Sequence, residues 1–189
     1  MLINKQSVLV VGSSIPNRWK NLQIYNNNYN IINKAIGRYT TQHLLSDNYL
    51  NKLKINLPKY IIYYCGGNDI KKGYDINQII NNVIEFRNIL MNKYKNSIYI
   101  VISIIKSPLM FKRNKIKEIN FFNSQLKKLS HKHNFVYLEI NDGWNKMKQF
   151  YINDLNHPNI LGYNIMNIKL NNIINKLNLL SVSSDYQKS

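Results

Sequence analysis

Hydrophobic positions in this chain follow two rhythms. Strand-length runs rich in β-branched and aromatic residues lie at Val8 to Val11, Tyr29 to Ile36, Tyr60 to Cys65, Ser97 to Ile105 and Phe135 to Ile140. The first, third and fourth are almost continuously apolar, as parallel strands covered on both faces are. Asparagines interrupt the second. Between the runs the spacing shifts to three and four. Ile76, Ile79, Ile80, Val83, Phe86 and Leu90 form one helical stripe, with Asp75 and Gln78 placed as a capping box at its start. Ile116, Ile119, Phe122, Leu126 and Leu129 form a second stripe, and Met166, Leu170, Ile173, Ile174 and Leu177 a third. A further helix is predicted from about Thr40 to Leu53. The polar tail from Ser181 to Ser189 is expected to fray.

Strands alternating with helices predict a parallel sheet between helical layers, joined by right-handed crossovers. No internal repeat or linker divides the chain, so one domain is expected over residues 1–180, followed by the tail. With 189 residues, 44% of them hydrophobic, there is enough material for a sizeable core, which argues against intrinsic disorder. The single cysteine, Cys65, excludes an internal disulfide framework and a Cys-rich zinc module. No apolar run approaches the roughly 20 residues of a membrane span, and the N-terminal segment lacks the form of a secretion signal. These features predict a soluble, intracellular protein.

Charge changes the picture less than its size suggests. Lys plus Arg total 26 and Asp plus Glu only 9, a formal net charge of +17. Such an excess raises nucleic acid or another polyanion as a partner. However, Asn, Ile, Lys and Tyr are all abundant and all read from AT-rich codons, and the lysines are scattered. The densest run, Met110 to Lys117, is short and opens a helix. Composition bias is the favoured reading, and a polyanion partner is not favoured.

The chemistry gathers where strands end, which in an open parallel sheet is where ligands bind. After the first strand comes Gly12-Ser13-Ser14, and after the second Ala35-Ile36-Gly37. The third is followed by Gly66-Gly67-Asn68-Asp69, and Asp154-Leu155-Asn156-His157 precedes the last helix. Singly, each is more often a turn or a cap. Together they supply a nucleophile, oxyanion donors, a base and a group to orient it, the inventory of acyl transfer.

In these four blocks, their order and their spacing, the sequence resembles the SGNH hydrolases (GDSL-type esterases) from about Ser7 to Leu177. Ser13 stands where the family usually has Asp, and Trp19, seven residues after Gly12, matches a subgroup whose first block reads Gly-Ser-Ser. The resemblance implies a flavodoxin-like three-layer α/β/α sandwich with a five-stranded parallel sheet, and ester hydrolysis without a cofactor or metal. It implies Ser14 as nucleophile, His157 as base and Asp154 as the residue orienting it. The Ser14 N–H, the Gly37 N–H and the Asn68 side chain would form the oxyanion hole.

Rival readings are weaker. A flavin or nucleotide site would call for a glycine-rich phosphate loop that is absent. The Gly-x-Ser-x-Gly elbow of α/β-hydrolases is absent too. A catalytically decayed hydrolase, kept as a basic binding module for nucleic acid or acidic glycan, stays open as the alternative, although all five site positions are intact. Cys65 reads as a core thiol, and His131 and His133 as solvated residues ending a helix. His43 lacks partners at metal-ligand spacing. Trp19 and Trp144 read as packing residues, Trp19 with the option of walling the site. Short connections leave no lid to shield a long chain, so the expected substrate is a small-molecule or glycan ester with a short acyl group, such as acetyl on a carbohydrate or lipid-like alcohol.

Overall fold

Each of the five apolar runs carries a strand in the computed structural model, which describes residues 5–25 and 29–186, with side chains as far as residue 180. In chain order the strands are β1 (Ser7–Gly12), β2 (Asn30–Asn33), β3 (Pro58–Tyr64), β4 (Ile98–Ile102) and β5 (Val136–Leu138). They form one sheet in the order β2-β1-β3-β4-β5, and every pairing is parallel. This is the flavodoxin-like order, with its topological switch between β1 and β3. Val8 to Val11, Tyr60 to Ile62 and Tyr99 to Ile102 are buried, as their unbroken apolarity requires.

Helices cover both faces. The main ones are α5 (Ile76–Lys93), α7 (Ile116–Lys132) and α8 (Ile160–Tyr186); the short ones are α1 (Ser14–Arg18), α2 (Thr41–Leu44), α3 (Asp47–Leu50), α4 (Gly67–Lys72) and α6 (Pro108–Lys112). Side-chain alternation along β3 separates the layers. Tyr63 packs on Phe86 of α5, at 5.8 Å between ring centroids, whereas Tyr60 points the other way and donates to Asn178 Oδ1 of α8 at 2.7 Å. The predicted stripes face inward: Ile79, Val83, Phe86 and Leu90 on α5, Ile119, Phe122 and Leu126 on α7, and Met166, Leu170 and Ile174 on α8 are all buried.

Several elements differ from the sequence reading. The helix expected over Thr40 to Leu53 is two helices, α2 and α3. The Ser46 hydroxyl turns back to the His43 carbonyl at 2.7 Å, and Ser46 itself is extended, starting α3 as its N-cap. The fourth and fifth strands stop short of their apolar runs. Beyond Ile102 the chain stays buried but leaves the ladder, with Ile104 N–H donating to Asn123 Oδ1 at 2.9 Å and Ile105 N–H to Tyr64 OH at 3.1 Å. The second strand keeps only Asn30–Asn33 because it is the sheet edge, where exposed asparagines carry no penalty. At the C-terminus, α8 continues to Tyr186, past the start of the predicted tail; residues 187–189 lie outside the described residues. At α5 the Asp75 carboxylate accepts the Gln78 N–H at 2.8 Å, while the Gln78 amide turns to Asn82.

Gly12 ends β1 at the switch point with φ +137°, and a Cβ there would lie 2.0 Å from the Tyr64 carbonyl oxygen on β3. A side chain would therefore push the two central strands apart. Gly12→Ala should cost more than about 3 kcal/mol, the sum of backbone strain and a backbone clash. Gly73→Ala, also at positive φ but with nothing within 4 Å, should cost only about 1 kcal/mol. Urea unfolding of the two variants checks the difference, and equal losses would contradict it.

Candidate active site

Ser14 is the first residue of α1, immediately past the end of β1. Its hydroxyl lies 2.9 Å from His157 Nε2, and His157 Nδ1 lies 2.5 Å from Asp154 Oδ2. A carboxylate can only accept, so Nδ1 carries the imidazole proton and Nε2 offers a lone pair to the serine. The structure thus joins three of the predicted residues, 143 positions apart at the extremes, in one hydrogen-bonded chain.

Local turn chemistry builds the histidine end. Asp154 Oδ1 accepts the backbone N–H groups of Asn156 and His157, both at 2.9 Å, while Oδ2 is left for the imidazole. Closing so tight a turn drives Leu155 to φ +56°, unfavourable for a leucine. The turn is fastened to α6, because Leu109 N–H donates to the Leu155 carbonyl at 2.9 Å and the Ser107 hydroxyl reaches Asn156 Oδ1 at 3.3 Å.

The other half of the site comes from β3. Asn68 and Asp69 lie in the first turn of α4 and both tie to the segment after Gly37. The Asn68 amide donates one hydrogen to the Tyr39 carbonyl at 2.9 Å and retains a second. Asp69, 1% exposed, accepts the Thr41 N–H at 2.9 Å and the Thr41 hydroxyl at 2.7 Å, and that hydroxyl accepts from Asn82 Nδ2 of α5 at 3.0 Å. The N–H groups of Ser14 and Gly37 have no partner among the described residues. A Cβ on Gly37 would meet only Asn17 Oδ1, at 3.7 Å, so the space before it is open. Ser14 and Asn68 share a cavity of about 20 Å³, also lined by Lys71, Ile105, Met110 and Asn156. Gly37 stands outside that lining, on the loop that Asn68 and Asp69 hold.

Burial, more than any charge, sets the histidine. Its side chain is 13% exposed, and desolvation pulls its pKa below the ordinary value, against the raising effect of Asp154; Arg18 and Lys71 add to the lowering. Burial alone would raise the Asp154 carboxyl, but the hydrogen bonds from His157 and Asn156 hold it below its usual range. At neutral pH the pair is therefore a neutral imidazole beside a carboxylate.

Other expectations divide. Burial pushes the Cys65 thiol well up, leaving it an inert core group. His43 Nδ1 lies 2.6 Å from the Thr40 hydroxyl and accepts the Thr40 N–H at the start of α2. Trp19 is buried against Tyr163 and donates to Asn167 Oδ1 at 3.0 Å, and it does not line the cavity. Trp144 stacks on Tyr151 and donates to the Ile140 carbonyl. Among the described residues, no three His, Cys, Asp or Glu side chains are grouped to hold a metal. The sequence reading missed Arg18, Lys71, Ser107 and the Thr41–Asp69 pairing. For Lys71 a signal existed, since it follows Asn68 by three residues on a helix and so shares its face.

The imidazole environment can be tested without substrate. In an NMR titration, His157 should lose its proton with a midpoint below the ordinary histidine value of about 6.5. Arg18→Gln removes a repelling cation and should move that midpoint up. A midpoint at or above the ordinary value, or a downward move in the variant, would contradict this account.

No protein-family model matches the chain, and no curated protein sequence matches it. Solved structures do. It is similar to a GDSL-like lipase from Bacteroides thetaiotaomicron, with TM-score 0.73, 19% identity and coverage of 91% of this chain and 89% of that one. A member of the lipolytic G-D-S-L family from Veillonella parvula gives 0.73 at 18% identity, covering 87% and 95%. A variant of an acetyl-xylooligosaccharide esterase from Geobacillus gives 0.69 at 14%, covering 90% and 94%. The resemblance seen in four short sequence blocks therefore extends over nearly the whole chain: it has the three-layer α/β/α fold of the SGNH, or GDSL-type, hydrolases.

Proposed function

We propose that the chain is a serine esterase of the SGNH type, and the observation that carries this reading is the hydrogen-bonded series Asp154–His157–Ser14. His157 Nε2 takes the Ser14 proton as Oγ attacks the ester carbonyl carbon. The tetrahedral oxyanion is met by the N–H groups of Ser14 and Gly37 and by the second hydrogen of the Asn68 amide. The imidazolium, stabilised by Asp154, returns its proton to the leaving alkoxide, which departs as the alcohol. Water then repeats the sequence on the acyl-enzyme and releases the acid. Every group this chemistry needs comes from the chain, so no cofactor is assigned.

Preorganisation supports the reading against a decayed binding module. Asn68 is held by Tyr39, the base-bearing turn is fastened to α6, and Leu155 is kept in an unfavourable conformation. Strain and precise donor placement of this kind cluster at working sites. The cavity beside Ser14 is too small for a long chain, which favours a short acyl group, and the acetyl esterase of like fold points the same way.

Ser14→Ala and His157→Ala should each lower kcat by at least about 10⁴, because the two act as a unit, with Asp154→Asn less damaging. A fluorophosphonate should label wild type and not Ser14→Ala. Labelling that survives Ser14→Ala, in a protein with unchanged thermal unfolding, would remove Ser14 from its role.

Chain length tests the acyl side. A deep apolar pocket would contribute about 0.8 kcal/mol for each added CH₂. Across p-nitrophenyl esters of two to twelve carbons, kcat/KM should be highest for acetyl or propionyl and should fall by octanoyl. A steady climb with length would refute the short-acyl assignment while leaving the triad intact.

A further inference from the structure

Lys71 is an anomaly at this site. It lies in the last turn of α4, one helical turn from Asn68, and it lines the same cavity as Ser14 and Asn68. The side chain is half-buried, yet no hydrogen bond or ion pair to it exists among the described residues. Its neighbours make this less comfortable. Arg113, just past α6, repels it, and Arg18 acts with Lys71 on the same His157, its guanidinium 3.9 Å from Asp154 Oδ2. Asp154, the one carboxylate acting on Lys71 among the described residues, already serves the imidazole and lies 3.9 Å from Arg18. Burial accordingly lowers the Lys71 pKa, with Arg113 adding to the effect.

A lysine with four flexible carbons could swing into water at little cost, and surface lysines elsewhere on this basic chain do so. An unpaired, partly desolvated ammonium beside a nucleophile instead marks a position that a ligand is expected to neutralise. Resting on the esterase reading above, we infer that the substrate is an ester carrying an anionic oxyacid group, carboxylate or phosphate, near the scissile bond, and that Lys71 is the residue that selects it, with Arg113 and Arg18 shaping the positive rim. Lysine suits this task as a compact point charge with three donors, able to meet either group without demanding planar geometry. The carbonyl carbon is unaffected by the choice, so selection appears in kcat/KM for matched esters.

The experiment uses matched O-acetyl pairs. O-acetylglucuronate is set against O-acetylglucose, and O-acetylglycerol phosphate against O-acetylglycerol, in wild type and in Lys71→Met, whose side chain keeps most of the apolar stem. Wild type should prefer the anionic member of at least one pair by about tenfold to a hundredfold, the range of one charged hydrogen bond. In Lys71→Met that ratio should collapse toward one, and Lys71→Arg should retain part of it. The pair that responds identifies carboxylate or phosphate as the group recognised. A ratio near one in wild type for both pairs, or an anionic preference that persists in Lys71→Met, would overturn the assignment while Ser14 remains labelled by fluorophosphonate. No turnover of any ester together with an unlabelled Ser14 would instead overturn the esterase reading itself, and this inference with it.

Discussion

Asp69 is a carboxylate without access to water, and the relative placement of the two halves of the site depends on how that burial is offset. Its oxygens accept the Thr41 N–H and hydroxyl, and Asn82 of α5 completes the network from behind. Burial still raises its pKa despite these bonds. Without Thr41 the buried charge would lose its partners, a change that commonly costs several kcal/mol. The geometric consequence matters more than the energy. Thr41 follows Gly37 by four residues and Asp69 follows Asn68 by one, so the network fixes the open N–H of one loop relative to the side-chain donor of the other. The Asn68 bond to the Tyr39 carbonyl closes the same junction nearer the site.

The opposite side of the cavity is organised by a different balance. Only nine acidic residues face 26 basic ones, and Asp154 is the carboxylate committed to the histidine. In so basic a chain a half-exposed carboxylate could be drawn toward many cations. The two backbone N–H groups on its Oδ1 prevent this, and Arg18 reaches it only at 3.9 Å. Orientation by the turn's own backbone is insensitive to salt, whereas the pairing with Arg18 is screened. His157 is thus aligned by short-range bonds, while Arg18 and Lys71 add to the effect of burial on its proton affinity.

Much of this was legible in the sequence, and the limits are physical. Strands buried on both faces announce themselves by continuous apolarity, so β1, β3 and β4 could be located, and with them the strand ends that carry Ser14 and Asn68. The Asp154–His157 turn was legible because its partners are three residues apart. Pairings across long separations were not: Thr41 with Asp69 spans 28 residues and Ser107 with Asn156 spans 49. No periodicity records such contacts. The break between α2 and α3 escaped because a serine inside a helical pattern can face solvent or bend back on a carbonyl, and the sequence does not distinguish the two. The strand runs overshot because apolarity reports burial, whereas a ladder also needs a neighbour; β5 is three residues long, so the buried Ile104 and Ile105 bond to side chains instead.

The helices that carry Ser14 and Asn68 are only five and six residues long. A helix macrodipole sums over aligned peptides, so such short pieces add little long-range field at the position of an oxyanion. What they do offer is geometry. The first-turn N–H groups of any helix lack internal partners, and at Ser14 that N–H opens beside the residue's own hydroxyl. On the esterase reading, stabilisation of a developing negative charge must then come from individual donors placed within hydrogen-bond reach. The rigidity of those donors is therefore the main requirement. It accounts for the buried polar bonding that holds the loops on either side, Asp69 with Thr41 and Asn82 behind Asn68, and Asn156 with Ser107 beneath the His157 turn.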